Sequence, residues 1–214
     1  MVPFSLRILR RFGWHNDYYN FTTASARIMT NLKELPIGPS APEVVHAVVE
    51  IPRGSRSKIE YDAELEVFKL DRVLFSAVHY PVAYGFIPST MWHDGDPLDV
   101  LVVTDEPLAT GIVLDVIPVG ALEMEDEHGN DLKIIAVAAF DPAVNQFGNY
   151  TDLPAHKRIE LEQFFTTYKI LENKHVKLGN WIPATQAREE IGNARVAFER
   201  KRKNSLVPTS DGNA

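Results

Sequence analysis

The chain contains no cysteine. Disulfides, thiolate metal sites and a thiol nucleophile are excluded together. The lack is compatible with a reducing compartment. Long apolar runs are missing too, since no stretch approaches the ~18 residues of a membrane span. Basic charge is in short supply: 22 Lys and Arg stand against 29 Asp and Glu, for a formal net charge of −7. That balance opposes general nucleic-acid binding, which clusters Lys and Arg against phosphates. A local basic pocket is still allowed. The rest is ordinary for a soluble globular protein, with 45% hydrophobic and 24% charged residues in 214. Such a length suits one sizeable domain, with or without extensions.

The charge is unevenly spread. Residues 1–30 hold four arginines (Arg7, Arg10, Arg11, Arg27) against the single acid Asp17. Two readings of this opening stand. It is an organellar transit segment, or an upstream extension or oligomer-contacting arm. The location expected is the cytoplasm, with an organellar matrix as the alternative if the segment targets. The expected boundaries are an extension over 1–33, a domain over 34–202, and a flexible tail over 203–214, where "KNSLVPTSDGNA" has no period.

Within the domain, "ELPIGPSAPE" is a Pro/Gly-rich leading loop. Five short β-branched runs follow, at 44–51, 73–80, 99–103, 112–120 and 133–140. Each is bounded by Gly, Pro, Asp or Asn, which predicts strands. Strands without intervening helices suggest a small barrel or sandwich. The period then changes. Leu161, Phe164, Phe165 and Tyr168 fall at helical spacing, as do Ala187, Ile191, Ala194 and Phe198. These predict two amphipathic helices that cover the strands.

The stretch "HDGDPLDVLVV" sets Asp94, Asp96 and Asp99 within six residues, at the mouth of a buried strand. Gly95 and Pro97 predict a tight turn, so the three carboxylates face one space. Clustered carboxylates repel and raise one another's pKa. Hard divalent cations such as Mg²⁺ are the usual compensation. An Asp-rich polar turn is the plain alternative. An EF-hand fails, because the third acid falls at relative position 6, where that loop needs glycine.

Further charged stretches accompany this one. "VVEIPRGSRSKIEYD" contains Glu50, Lys58 and Glu60, and "LDRVLFSAVHYPVAYGFIP" contains Arg72, Tyr80 and Tyr84. "MEDEHGNDLKIIAV" contains Asp126, Asp131 and Lys133, in a pattern that predicts a hairpin with Gly129-Asn130 at its tip. "FFTTYKILE" sets Tyr168 beside Lys169. Singly, each has a plain structural reading as rim charge, surface ion pair or core aromatic. In order along the chain, from about Leu35 to Phe198, they resemble the family I soluble inorganic pyrophosphatases. The run "DGDPLDV" fits that family's signature.

The resemblance implies an α+β, mainly β fold: a five-stranded OB-like β-barrel with flanking helices. It implies Mg²⁺-dependent hydrolysis of pyrophosphate to two phosphates by metal-activated water, with Mn²⁺ or Zn²⁺ as substitutes. Asp94, Asp99 and Asp131 would hold the tightest metal, and Asp99 would bridge to a second. Asp126 and Asp131 would serve metals arriving with substrate, with Glu50 and Glu60 acting directly or through water. Asp96 would be the general base. Lys58, Arg72, Lys133, Tyr168 and Lys169 would hold phosphate, with Tyr84 nearby and Tyr80 also in the pocket. A homo-oligomer, hexamer or dimer, is implied, with no nucleic-acid or membrane partner. Ile59 stands where the family often has an aromatic residue, and the length of "PRGSRS" leaves the register of Lys58 open, with Asp62 as an alternative to Glu60. Two other classes are a nucleic-acid-binding OB module, opposed by the charge, and a metal phosphohydrolase acting on nucleotides or phosphate esters.

Overall fold

Short β-branched runs separated by turn residues build strands, and helical spacing late in the chain builds helices. A computed structural model describes residues 31–206, residues 39 and 128 apart. The expected extension over 1–30 and the end of the tail, 207–214, lie outside the described residues. In chain order the strands are β1 (Val45–Ile51), β2 (Ser57–Asp62), β3 (Val67–Val73), β4 (Ala83–Phe86), β5 (Asp99–Val103), β6 (Val113–Asp126), β7 (Gly129–Ala138) and β8 (Lys177–Pro183). Helix α1 (Ala155–Thr167) precedes β8, and α2 (Ala184–Leu206) follows it. The architecture is mainly β with two α-helices.

Six strands form one sheet in the order β1-β4-β5-β7-β6-β8, and β6 pairs additionally with β1. Among the described strands only β5 and β7 run parallel, with Asp99 opposite Lys133. Strands β2 and β3 form a separate antiparallel hairpin. Alternate residues of β5 and β7 enter two different apolar clusters. Val100, Val102, Ile134 and Ala136 join a cluster that takes in Ala187, Ile191 and Ala194 of α2. Leu101, Val103, Ile135 and Val137 join one that takes in Leu161, Phe164 and Phe165 of α1. Burial on both faces is why these strands read as unbroken apolar runs.

Two expectations change. The run at 73–80 is not a strand beyond Val73. Leu74 and Tyr80 are buried, but their N–H groups donate to the carbonyls of Arg56 (2.9 Å) and Ser55 (3.0 Å) in a loop. The β6–β7 hairpin closes at the pair Asp126–Gly129, so its tip precedes Gly129-Asn130. Helix α2 runs to Leu206, and Leu32–Glu34 form a turn of 3-10 helix.

Strands β1 and β4 touch closely where Val49 faces Gly85. A Cβ at Gly85 would fall inside the van der Waals envelope of the Val48 carbonyl oxygen, on backbone that cannot swing aside. Gly85→Ala is therefore expected to destabilise by about 3 kcal/mol or more, read as a large drop in the thermal midpoint. A midpoint equal to the parent's would show that β1 and β4 are not so closely apposed.

Candidate active site

The aspartate run makes the predicted turn. Gly95 takes φ +91°, a conformation open to glycine. The turn closes through Trp92 N–H to Asp96 O (2.7 Å) and Gly95 N–H to Trp92 O (3.1 Å), and Asp96 N–H donates to Asp94 Oδ1 at 3.0 Å. Asp99 then opens β5. Asp94, Asp96 and Asp99 all line one polar cleft of about 400 Å³.

Other elements send charges into the same cleft. Glu50 comes from β1, Lys58 and Glu60 from β2, Arg72 from β3, Tyr84 from β4, Asp126 from β6, and Asp131 and Lys133 from β7. Tyr168 and Lys169 come from the end of α1. Tyr80 packs beside Tyr84, whose side chain lines the cleft. Its ring is buried in the apolar cluster, 4.7 Å from that of Phe164 and 5.6 Å from that of Tyr84. Asp62 turns from the cleft. It accepts from Glu64 and Leu65 N–H and pairs with Lys69 at 2.9 Å, which favours Glu60 for the cleft role.

Cations and carboxylates alternate. Lys133, whose side chain is 6% exposed, pairs with Asp99 and, at 2.6 Å, with Asp131. Burial pulls its pKa down, but the two carboxylates outweigh burial and hold it above the ordinary lysine value. Burial, with Asp99 and Asp126 as neighbours, raises Asp131 despite Lys133. Lys169 bonds Asp126 at 2.9 Å. Arg72 bonds Asp71 at 2.6 Å and Glu172 at 3.1 Å, while Lys58 pairs with Glu60 and, at 3.2 Å, with Asp71. Burial raises the Tyr84 hydroxyl well above its ordinary range, with Asp99 adding to it. With lysines interleaved, no three His, Asp or Glu side chains among the described residues converge at metal-holding spacing.

A family model described as inorganic pyrophosphatase matches residues 47–199. The chain belongs to the inorganic pyrophosphatase family. The inorganic pyrophosphatase of Thermus thermophilus is 51% identical over 166 residues, covering 76% of this chain and 95% of that one. The soluble inorganic pyrophosphatase of Zea mays is 45% identical over 158 residues, covering 74% of each. A crystal structure of the Thermus thermophilus enzyme superposes with a TM-score of 0.78 at 47% identity, covering 79% of this chain and 99% of that one.

Three cleft residues escaped the sequence reading of the family's motifs. Lys33 bonds Asp96 at 2.8 Å, Lys174 bonds Glu127 at 2.7 Å, and Glu127 itself faces the cleft. Lys33 and Lys174 lie just outside the quoted motifs. Glu127 follows Asp126, and hairpin register could have flagged it.

Glu50 supplies a pH signature. The residue is 8% exposed, and its carboxylate accepts from Tyr61 N–H at 2.7 Å. Burial dominates, with Asp99 and Glu60 adding, and pushes its pKa from 4.5 up to about 8. A carboxyl raised on folding costs stability as pH rises between those two values, and the full cost stands above about 8. Glu50→Gln, measured in metal-free protein, is expected to raise stability above that pH by a few kcal/mol, at about 1.4 kcal/mol per pKa unit. The gain should shrink to nothing near pH 4.5, the ordinary value. A gain independent of pH would show that Glu50 is not held protonated by its surroundings.

Proposed function

We propose that this chain hydrolyses inorganic pyrophosphate to two orthophosphates with Mg²⁺ bound in the cleft. The observation that carries the proposal is the composition of that cleft: carboxylates and cations from seven elements converge on one polar space, in a chain of this family. Pyrophosphate offers much charge and little shape, so recognition must come from cations. Phosphoryl transfer asks for positioning and electrostatic stabilisation more than covalent chemistry. A nucleotide substrate would need a base pocket, and the lining is mainly charged and phenolic.

The donor set fits a hard divalent cation, because every candidate ligand is a carboxylate oxygen. Asp94, Asp99, Asp126 and Asp131 would hold it, with Glu50 and Glu60 directly or through water. Mn²⁺ and Zn²⁺ are the proposed substitutes. When bound, such ions supply Lewis acidity and lower the pKa of water toward neutrality. Asp96 is the proposed acceptor of the attacking water's proton. Lys58, Arg72, Lys133, Tyr168 and Lys169 would hold phosphoryl oxygens, each now occupied in part by a carboxylate or a neighbouring ring. The Tyr84 hydroxyl accepts from the Lys133 ammonium at 3.4 Å, and burial keeps it protonated, so it can offer its own proton to a phosphoryl oxygen.

The circuit β1-β4-β5-β7-β6, with β6 paired back to β1, is the basis for reading the sheet as a five-stranded OB-like barrel. The proposed domain is 34–202. A homo-oligomer, hexamer or dimer, is the proposed assembly. Exposed Phe75, Phe140 and Leu171 offer it apolar surface.

Phosphate release from pyrophosphate with Mg²⁺ tests the reaction. Release should stop with EDTA, and Asp99→Asn should cut turnover by about 10²-fold or more while the protein stays folded. Absence of release from folded, Mg²⁺-supplied protein would overturn the reading. Asp96→Asn should lower kcat by about 10²-fold and keep Mg²⁺ affinity by calorimetry. Lost affinity would make Asp96 a ligand.

A further inference from the structure

We infer that Lys33, from the segment before β1, is a positioning residue for Asp96. The inference rests on the reading of Asp96 as acceptor of the attacking water's proton. Lys33 Nζ lies 2.8 Å from Asp96 Oδ1. Among the described residues it is the only side chain bonded to that carboxylate.

The turn fixes the backbone of Asp96, through its N–H to Asp94 and its carbonyl from Trp92. It leaves the carboxylate torsion open, and the Asp96 side chain is 69% exposed. Lys33 closes that freedom. It engages Oδ1 alone, so Oδ2 is left to accept a proton in a fixed direction. A group that must meet a reacting atom gains rate from such restriction, and a misplacement of about 1 Å can cost ~10²-fold.

Lys33 is itself held. Its N–H donates to Asn31 Oδ1 (3.0 Å), and its carbonyl accepts from Ser89 N–H (2.8 Å). On either side, Leu32 N–H donates to the Tyr61 hydroxyl at 3.1 Å, and Ser89 Oγ donates to the Leu35 carbonyl at 2.7 Å. Ser89 adopts φ +54°, which a residue other than glycine takes up at a cost. Four hydrogen bonds and one strained residue surround a lysine whose one charged partner among the described residues is Asp96. An exposed ion pair adds little to stability, so a stabilising role does not account for this anchoring.

The test is a double-mutant cycle: Lys33→Met, Lys33→Arg, Asp96→Asn, and Lys33→Met with Asp96→Asn. Pyrophosphate hydrolysis at saturating Mg²⁺ and the thermal midpoint are read for each. Lys33→Met should lower kcat about tenfold with KM within about twofold, and Lys33→Arg should recover most of the loss. The double variant should be no slower than Asp96→Asn alone, because the lysine acts only through that carboxylate. The Lys33→Met midpoint should stay within about 2 °C of the parent. A raised KM with kcat kept would place Lys33 on the substrate and overturn the inference. Losses that multiply in the double variant, or a large midpoint drop, would overturn it too. If Asp96→Asn is slow and Lys33→Met is not, Lys33 alone is misassigned. If Asp96→Asn keeps full kcat, the reading of Asp96 fails first.

Discussion

The structure turns on one buried cation. Lys133 lies between Asp99 and Asp131, at the adjoining ends of the parallel strands β5 and β7. Removing a charge from water costs several kcal/mol, and only close, well-paired partners offset it. Without Lys133, the two carboxylates would face each other across neighbouring strands. With it, the strands can bring acids together at one sheet end while their remaining residues pack into oil on both faces. The same rule extends outward. Lys169 answers Asp126, and Arg72 answers Asp71 and Glu172. The cleft is a set of carboxylates kept tolerable by cations, and those cations are what a polyanion would meet.

The apolar scaffold sets where those charges stand. α2 covers one set of alternate side chains and α1 the other. α1 does a second task, because the residues that follow its last turn, Tyr168 and Lys169, reach the cleft. The hairpin β2–β3 stands apart from the main sheet and offers Lys58, Glu60 and Arg72 from facing positions, with Lys58 directly opposite Arg72. Polar chemistry is thus mounted on regular backbone, which restricts side-chain wandering.

Much of this was legible in the residues. The run "DVLVV" is β5 residue for residue, because a buried strand bounded by Pro-Leu and Thr leaves little ambiguity. The turn at Gly95 followed from its Gly and Pro. Both helices followed from their periods. The charged strands β2 and β3 were not assigned, because alternation of Lys58, Glu60 and Asp62 with Ile59 and Tyr61 reads as weakly apolar, and their polar side chains are what the cleft uses. The run at 73–80 misled for the opposite reason: its apolar residues are buried by tertiary packing while its backbone bonds to a loop. Lys33 could not be found from spacing, since 63 positions separate it from Asp96.

The parallel pairing of β5 with β7 has a kinetic meaning. Asp99 and Lys133 stand 34 positions apart, and their meeting requires the whole of β6 to be laid down between them. Contacts of such long range form only after chain entropy has been lost to closure. A partly folded chain therefore carries the acids without their counter-ion, and has no assembled cleft to offer. Any ligand of the cleft binds the finished molecule in preference to its precursors, so abundant ligand draws the population toward the native state by mass action.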